Sequence, residues 1–289
     1  MVTRYDLHIH TAASDGSDTP AMLAQKVREA GLELFSVTDH DTIDGALAME
    51  PLIPEGVRYI RGIEFSCVSP GGKCHILGYG FDPNHPGFLA ALREGAQLRR
   101  EKLERRIVHL REKFGISLTE EELSWLRSLK SPGKPHLGEL LLKRGLAPDR
   151  SSAIKTYLSG VPGRDRIDAK TAIDAIRVSG GIAVWAHPLG GEGERRLTEE
   201  EFRRKLDGLL ADGIQGLECR YSRYSREESA LLLRCAQTHG LIATGGSDYH
   251  GSVKQGILPG QLGTDFAPQS IDTEPFSGII LQKEAHFDP

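Results

Sequence analysis

The stretch YDLHIHTAASDG, residues 5–16, alternates in its first half in the way that a short β-strand does. Because successive side chains of a strand point to opposite faces, His8 and His10 lie on the same side. Two neighbouring imidazoles at the end of a strand can bind one metal ion, and Asp15 in the following loop can reach a neighbouring ion. A half-buried strand with two solvated histidines has the same pattern, so the rest of the chain is needed to distinguish a metal site from such a strand.

The chain supplies more side chains of this kind at the ends of predicted strands. Helical patterns separate most of these strands, which predicts an α/β fold with a largely parallel sheet. The carboxyl ends of such strands are where α/β barrels place their active sites. The predicted strands and the side chains that they carry are 34–38 followed by Asp39, His40 and Asp41; 58–66 with Glu64; 73–79 with His75; 182–186 followed by His187; and 241–244 followed by Asp248 and His250. A further predicted strand, 214–218, ends at Glu218 and carries none of these candidates.

The alternation of strands and helices is interrupted between residues 86 and 168, where only helical patterns occur. We interpret 86–168 as a helical insertion, or cap, and 1–85 together with 169–289 as the α/β barrel. Residues 91–170 contain 18 Lys and Arg against 11 Asp and Glu, a local net charge of +7, whereas the remainder carries −11. A basic segment in an acidic chain favours an anionic substrate, although a solvated helix face has the same composition.

The N-terminal sequence, the apolar stretches and the cysteine spacing further restrict the class of protein to which the chain can belong. The N-terminus lacks a basic segment followed by an apolar run, and no apolar stretch is long enough to span a bilayer, so we expect a cytoplasmic enzyme without a membrane partner. None of the four cysteines belongs to a CxxC pair, which argues against a structural zinc site made of thiolates.

Taken together and in this order, the motifs resemble those of the PHP (polymerase and histidinol phosphatase) superfamily of metal-dependent phosphoesterases. The resemblance covers almost the whole chain apart from the insertion and the tail. Within the superfamily the chain is similar to a bacterial branch that acts as 3′,5′-nucleotide bisphosphate phosphatases and as 5′-to-3′ exoribonucleases on short RNA. The resemblance implies a distorted seven-stranded β/α barrel of PHP type with two or three divalent ions, which we expect to be Mn, Zn or Fe.

The resemblance also implies how the ligands are divided among the ions. The first ion would be bound by His8, His10, Glu64 and Asp248, and the second by Asp15, His40 and His250. The third would be bound by His75 and His187, with Glu64 as a bridge. A hydroxide activated by the metal ions and held by Asp15, His40, Glu64 and His250 would attack phosphorus. Asp39 and Asp41 would orient His40 or its neighbours.

The motif that suggests the phosphate-binding residues is less specific than the set of metal-ligand motifs. The sequence around Lys134 and His136 resembles the insertion motif of this branch, and an amphipathic cap helix would have the same pattern. Arg99, Arg164 and Arg220 are further candidates, since arginine suits bidentate contacts with phosphate.

Three other functions compete with hydrolysis of nucleotides or short RNA. Histidinol-phosphate phosphatase is the main alternative, because the metal ligands do not discriminate between substrates. A metal-dependent amidohydrolase also begins with His-x-His, but here Glu64 takes the bridging position that a modified lysine takes in that class. A non-catalytic nucleotide-binding module is the third alternative. We do not expect this chain to read double-stranded DNA.

Overall fold

The computed structural model describes residues 2–191, 195–264 and 270–282. Its strands are β1 (Tyr5–Ile9), β2 (Leu34–Val37), β3 (Arg58–Ser69), β4 (Gly72–Tyr79), β5 (Ile167–Asp168), β6 (Ile182–Trp185), β7 (Gly216–Tyr221), β8 (Ile242–Gly246) and β9 (Leu281–Gln282). Its α-helices are α1 (Pro20–Glu29), α2 (Asp44–Met49), α3 (Pro86–Phe114), α4 (Glu120–Ser128), α5 (Lys134–Lys143), α6 (Arg150–Tyr157), α7 (Ala169–Val178), α8 (Glu199–Ala211) and α9 (Arg226–His239). None of the described helices is long and apolar enough to cross a membrane.

Seven strands form a nearly closed barrel in the order β1-β2-β3-β4-β6-β7-β8. The first and last strands of this path meet through backbone hydrogen bonds, from the N–H of His10 to the carbonyl of Tyr249 and from the N–H of Asp248 to the carbonyl of His8. Because this contact closes the barrel, the two ends of the chain contribute to one site. The predicted barrel class is confirmed.

The sheet differs from a purely parallel one at β4. Strand β4 is antiparallel to both β3 and β6, whereas the other pairs on the barrel path are parallel. The reason is the connection between β3 and β4, which is a tight turn at residues 70–71. Such a short connection joins only antiparallel strands, because a parallel pair needs a crossover of a dozen or more residues.

The barrel helices begin at side chains that cap them. The hydroxyl of Thr19 accepts from the N–H of Met22, as the Thr-Pro pair predicts. Thr198 and Ser225 form capping boxes with glutamates three residues later, which satisfy the free N–H groups of α8 and α9. These local bonds determine where α1, α8 and α9 start on the outside of the barrel.

Helix α3 packs both on the barrel and within the cap, the helical segment 86–168. Its first turns pack on the barrel, where Phe88, Ala91 and Leu98 join the main hydrophobic core. Its later residues Leu103 and Leu110 belong to a separate apolar cluster within the cap. The remaining buried members of this cap cluster are Leu126, Leu137, Leu140, Leu141, Ala153 and Leu158.

Candidate metal centre

The barrel brings together all nine side chains that the sequence suggested as metal ligands. They come from the ends of β1, β2 and β8, from the loop after β6, and from the paired strands β3 and β4. Together they form one largely buried cluster: His8, His10, Asp15, His40, Glu64, His75, His187, Asp248 and His250.

Glu64 lies at the centre of this cluster, and its side chain is 1% exposed. Its Oε1 is 3.0 Å from His75 Nδ1 and 3.2 Å from His187 Nε2. Its Oε2 is surrounded by three further imidazole nitrogens: His10 Nε2 and His40 Nδ1, both at 3.1 Å, and His8 Nε2 at 3.2 Å. One carboxylate therefore contacts histidines on both sides of the site.

The ligand atoms fall into three overlapping groups in which all atoms lie within 4.8 Å of one another. This spacing suits a shared ion, since two ligands each about 2.1 Å from a metal lie about 3.4 Å apart in tetrahedral geometry. The groups are His10, Asp15, His40 and His250; His8, His10 and Asp248; and His40, Glu64 and His75.

Two buried atoms in the cluster show why the residues fit divalent cations. Glu64 Oε2 and His40 Nδ1 have no hydrogen-bond partner among the described residues, although they lie 3.1 Å apart. Leaving buried polar atoms unpaired is costly, and a cation coordinated by both would satisfy them. Imidazole and carboxylate without thiolate suit Zn²⁺, Mn²⁺ or Fe²⁺.

The protonation states agree with this chemistry. Burial acts to raise the pKa of Glu64, but the imidazoles of His40 and His75 outweigh it and hold that pKa well below its usual range. Burial lowers the pKa of His40 well below that of free histidine, although Glu64 and Asp15 act to raise it. Burial also acts to lower the pKa of His10, but Asp248 and Glu64 raise it to about 9. A group of carboxylates that attracts a proton this strongly also attracts a divalent cation.

Glu218, a residue that the sequence did not single out, orients the first histidine. The Nδ1–H of His8 donates to Glu218 Oε1 over 2.8 Å, and the backbone N–H of His187 donates to Glu218 Oε2 over 2.6 Å. Because Nδ1 carries the proton, His8 Nε2 presents its lone pair to the cluster. Glu218 was predicted as the last residue of a strand, and that position was the only indication in the sequence.

Asp248 is held by two residues that the sequence also did not reveal. Its Oδ2 accepts from the Tyr221 hydroxyl at 2.9 Å and from Lys254 Nζ at 2.5 Å. Its Oδ1 lies 3.4 Å from His10 Nε2. The carboxylate therefore has one oxygen fixed by the protein and the other facing the cluster.

Backbone strain is concentrated at this site. In the described part of the chain, the non-glycine residues with positive φ are Asp41, His187 and Asp248, at 51°, 29° and 56°. Each lies where a barrel strand passes into a loop that lines the cluster. Such conformations are costly for L-residues and are typically kept where they place a functional side chain.

Asp39 and Asp41 do not contact His40 in the way that we expected. Asp39 accepts from the backbone N–H and hydroxyl of Thr11 and from the Ser14 hydroxyl, so it fixes the loop that carries Asp15. Asp41 instead holds Arg99 from the cap. Both carboxylates therefore organise segments around the cluster rather than the His40 ring.

A cavity of about 210 Å³ opens beside the cluster and lies between the barrel and the cap. Of the predicted phosphate ligands, Arg99 and Lys134 line it, together with Asp15, His40 and His75. His136 lies in the first turn of α5, the helix that begins at Lys134. Its Nδ1 accepts from the N–H of Gly133, another residue of the cavity wall. The cavity thus joins the metal-ligand cluster to the basic insertion.

The structure does not bring the other two predicted arginines to this cavity. Arg164 is about half exposed and pairs with Glu94 and Asp168. Arg220 donates to the Tyr5 hydroxyl and the Ser270 carbonyl and lines a different cavity near the start of β8. The register of β7 shifts between Glu218 and Arg220, which interrupts the alternation and separates Arg220 from the face that carries Glu218 and Tyr221. The sequence did not reveal this shift, because we ended the predicted strand at Glu218.

Four cations that line the cavity were missed by the sequence interpretation: Lys73, Lys102, Arg106 and Arg166. One pattern could have revealed two of them, because Arg99, Lys102 and Arg106 follow the i, i+3, i+7 spacing that places side chains on one helix face. Arg106 is 4% exposed, and its Nε has no hydrogen-bond partner among the described residues. This face of α3 forms the cationic wall of the cavity.

Comparisons with known proteins agree with this geometry. A model of the PHP domain matches residues 6–117. The chain is 32% identical to a 5′-3′ exoribonuclease of Haemophilus influenzae, covering 86% of this chain and 91% of the relative. It is 29% identical to a 3′,5′-nucleoside bisphosphate phosphatase of Chromobacterium violaceum, covering 90% and 89%. It is 33% identical to a phosphoribosyl 1,2-cyclic phosphate 1,2-diphosphodiesterase of Eggerthella lenta, covering 88% and 96%.

A solved structure from Bifidobacterium adolescentis, assigned as a metal-dependent phosphoesterase, has a similar fold. It superimposes with a TM-score of 0.76 and is 28% identical, covering 91% of this chain and 93% of the other.

Proposed function

The chain belongs to the PHP family of metal-dependent phosphoesterases, and we propose that it hydrolyses phosphate esters of nucleotides, with 3′,5′-bisphosphate nucleotides and short 5′-phosphorylated RNA as substrates. It is an enzyme of the phosphoric ester hydrolase class. The observation that carries the proposal is Glu64 Oε2, a buried carboxylate oxygen among three imidazoles. It has no hydrogen-bond partner in the described part of the chain and lies next to a cavity lined by cations.

We propose that the cluster binds two or three divalent ions, with Mn, Zn or Fe as the metals. His8, His10, Glu64 and Asp248 would hold one ion, and Asp15, His40 and His250 a second. His75 and His187 would hold a third, to which Glu64 would form the bridge. When bound, such ions supply a water molecule of lowered pKa and neutralise charge on phosphate oxygens. Two of the groups of ligand atoms support the first two ions, and the contacts of Glu64 Oε1 with His75 and His187 support the third.

The protein's own side chains would bind and orient the substrate. Arg99 uses Nε and Nη2 on Asp41 and Ser66, which leaves Nη1 for a phosphate oxygen. Lys134, which starts α5, would contact the same phosphate, and His136 would lie beside it. Removal of Lys134 should therefore raise KM more than it lowers kcat.

We also propose that residues 86–168 act as a cap domain on the barrel, which is formed by 1–85 and 169–289. The separate apolar cluster within the cap supports this division into two domains. Because the substrate cavity lies between the two parts, the cap would contribute phosphate ligands and the barrel the metal ligands.

A substrate screen with purified enzyme and Mn²⁺ tests the proposed function. We expect release of phosphate from adenosine 3′,5′-bisphosphate and shortening of a 5′-phosphorylated oligoribonucleotide, with histidinol phosphate hydrolysed at least tenfold less efficiently. The variants Asp15→Ala and His250→Ala should abolish turnover with the fold intact, whereas His239→Ala, at an exposed position of α9, should retain it. Activity of either ligand variant within tenfold of the parent would contradict the metal assignment.

A second candidate follows from the relative that hydrolyses a phosphoribosyl cyclic phosphate, which is 33% identical to this chain. A five-membered cyclic phosphodiester presents the same non-bridging oxygens to the cluster. The screen therefore includes a ribose 1,2-cyclic phosphate. Faster hydrolysis of this compound than of the bisphosphate would replace the nucleotide assignment.

A further inference from the structure

We infer that a second basic cavity beside the metal centre binds the sugar-phosphate backbone of an oligonucleotide, one nucleotide away from the phosphate that is hydrolysed. This inference rests on the proposed function and adds a subsite to it. The cavity has a volume of about 440 Å³, about twice that of the cavity beside Asp15. This size lies within the range of pockets that hold small ligands, about 300–1,000 Å³.

The two cavities share one wall. Lys73, His75 and Arg166 line both of them. His187, on the other side of Glu64 from His10, faces the second cavity. A chain whose phosphate lies at the cluster can thus continue past His75 and Arg166 into the second cavity.

The second cavity is cationic. Its charged side chains are Lys73, Arg166, Arg195, Arg204 and Lys205, and Glu201 is the single acidic residue lining it in the part of the chain that the structure describes. Arg195 donates to both oxygens of Glu201, at 2.7 and 3.0 Å, so this pair is neutral. Lys73, Arg166 and Arg204 supply further positive charge to this cavity.

Two of these cations are held rigidly. Lys205 is 6% exposed; its Nζ donates to the Lys73 carbonyl at 2.8 Å and lies 5.9 Å from the centre of the Trp185 ring. Arg166 donates through Nη1 to the Cys74 carbonyl at 3.2 Å. Its buried Nε has no hydrogen-bond partner among the described residues, which indicates a missing acceptor.

These features match recognition of a phosphodiester backbone. Single-stranded nucleic acids bind in grooves whose positive charges follow the phosphates. A mononucleotide with its scissile phosphate at the cluster would leave the second cavity empty. The cavity should therefore affect oligonucleotides and not bisphosphate mononucleotides.

The test measures the inhibition constant of a 5′-phosphorylated tetraribonucleotide against hydrolysis of adenosine 3′,5′-bisphosphate by the Mn²⁺ enzyme. Arg204→Ala should raise this constant about five- to tenfold and lower its salt dependence by about 0.7 in the logarithmic slope. Arg204→Glu should raise it further. KM for the bisphosphate should change less than twofold in both variants.

The matched control is Arg203→Ala. Arg203 precedes Arg204 on α8, is 72% exposed, pairs with Glu199 and does not line the second cavity. It should leave the inhibition constant of the tetranucleotide unchanged.

Two results would overturn the inference while leaving the proposed function intact: Arg204→Glu without effect on the tetranucleotide, or equal effects of the Arg203 and Arg204 variants. A parent enzyme that hydrolyses the bisphosphate but is not inhibited by the tetranucleotide would overturn the inference and also remove short RNA from the proposed substrates. A parent enzyme that hydrolyses neither compound would instead contradict the proposed function itself.

Discussion

Glu218 determines which nitrogen of His8 faces the metal-ligand cluster. We predict that Glu218→Gln weakens Mn²⁺ binding about 10–100-fold, the usual effect of losing a partner that orients a metal ligand. The amide of glutamine can accept from only one of the two donors, His8 Nδ1 and the N–H of His187, and presents its own N–H to the other. Calorimetric titration with Mn²⁺ measures the effect.

The control for this prediction is Glu112→Gln, a change of the same chemistry at an exposed position of α3. Thermal unfolding in EDTA verifies that both variants fold. Mn²⁺ affinity of Glu218→Gln within twofold of the parent would mean that Glu218 does not orient His8.

Arg106 is a buried cation of the cavity wall, and we predict that it favours substrate binding at the expense of the fold. Burial lowers the pKa of Arg106 well below that of free arginine, and Arg99 adds to this effect. We predict that Arg106→Met raises Tm by about 2–4 °C in phosphate-free buffer, because methionine avoids burial of a poorly paired charge. The same variant should raise KM for the bisphosphate and gain less thermal stability from added inorganic phosphate.

Arg111→Met is the control for this change, since Arg111 lies on the same helix but is 62% exposed. It should alter neither Tm nor KM. A Tm of Arg106→Met below that of the parent would show that the guanidinium stabilises the unliganded fold.

The residues that could be predicted from the sequence differ physically from those that could not. His8 and His10 are separated by one residue, and Asp248 and His250 likewise, so short spacing alone suggested a shared site. Glu218 contacts His8 across 210 positions of sequence. Such a contact depends on how β1 and β7 are placed in the barrel, which local patterns do not specify.

At the level of elements, the positions of the strands could be predicted from the sequence better than their parallel or antiparallel directions. The predicted strand at 58–66 continues to Ser69, and the next begins at Gly72. With the true bounds, the two-residue connection requires an antiparallel pair. The pairing places Glu64 and His75 on adjacent strands, two positions out of register, where they contact each other.

The cap should unfold independently of the metal centre. Leu141 lies on α5 with Lys134 and His136 and is fully buried in the apolar cluster of the cap. We predict that Leu141→Ala destabilises the cap by about 2–5 kcal/mol and raises KM, while Mn²⁺ affinity stays unchanged. Hydrogen exchange followed by mass spectrometry should show faster exchange in residues 103–158 than in the barrel strands.

Leu23→Ala is the comparison, because Leu23 is equally buried but lies on α1 in the barrel. It should accelerate exchange in the barrel. If Leu141→Ala accelerates exchange in the barrel as strongly as in the cap, then the two parts form one cooperative unit and the proposed domain division is wrong.

For the whole molecule, Asp6 links the two strands at which the barrel closes. This buried carboxylate accepts four hydrogen bonds: from the N–H of His8 at 3.1 Å, from the N–H and hydroxyl of Ser247 at 2.9 and 2.5 Å, and from the N–H of Gly260 at 2.7 Å. It therefore joins β1 to the end of β8 and to the C-terminal segment. Burial raises the pKa of Asp6 to about 6, and these four donors oppose that shift.

We predict that Asp6→Asn lowers the free energy of unfolding in EDTA by about 2–3 kcal/mol, since asparagine has one acceptor oxygen and its amide N–H groups would meet donors that the carboxylate accepts. Urea denaturation measures the change, with Asp207→Asn at an exposed position of α8 as the control. Because His8 and Asp248 flank this junction, Mn²⁺ affinity should fall as well. Unchanged stability of Asp6→Asn at pH 7.5 would mean that the backbone bonds between β1 and β8 suffice to close the barrel.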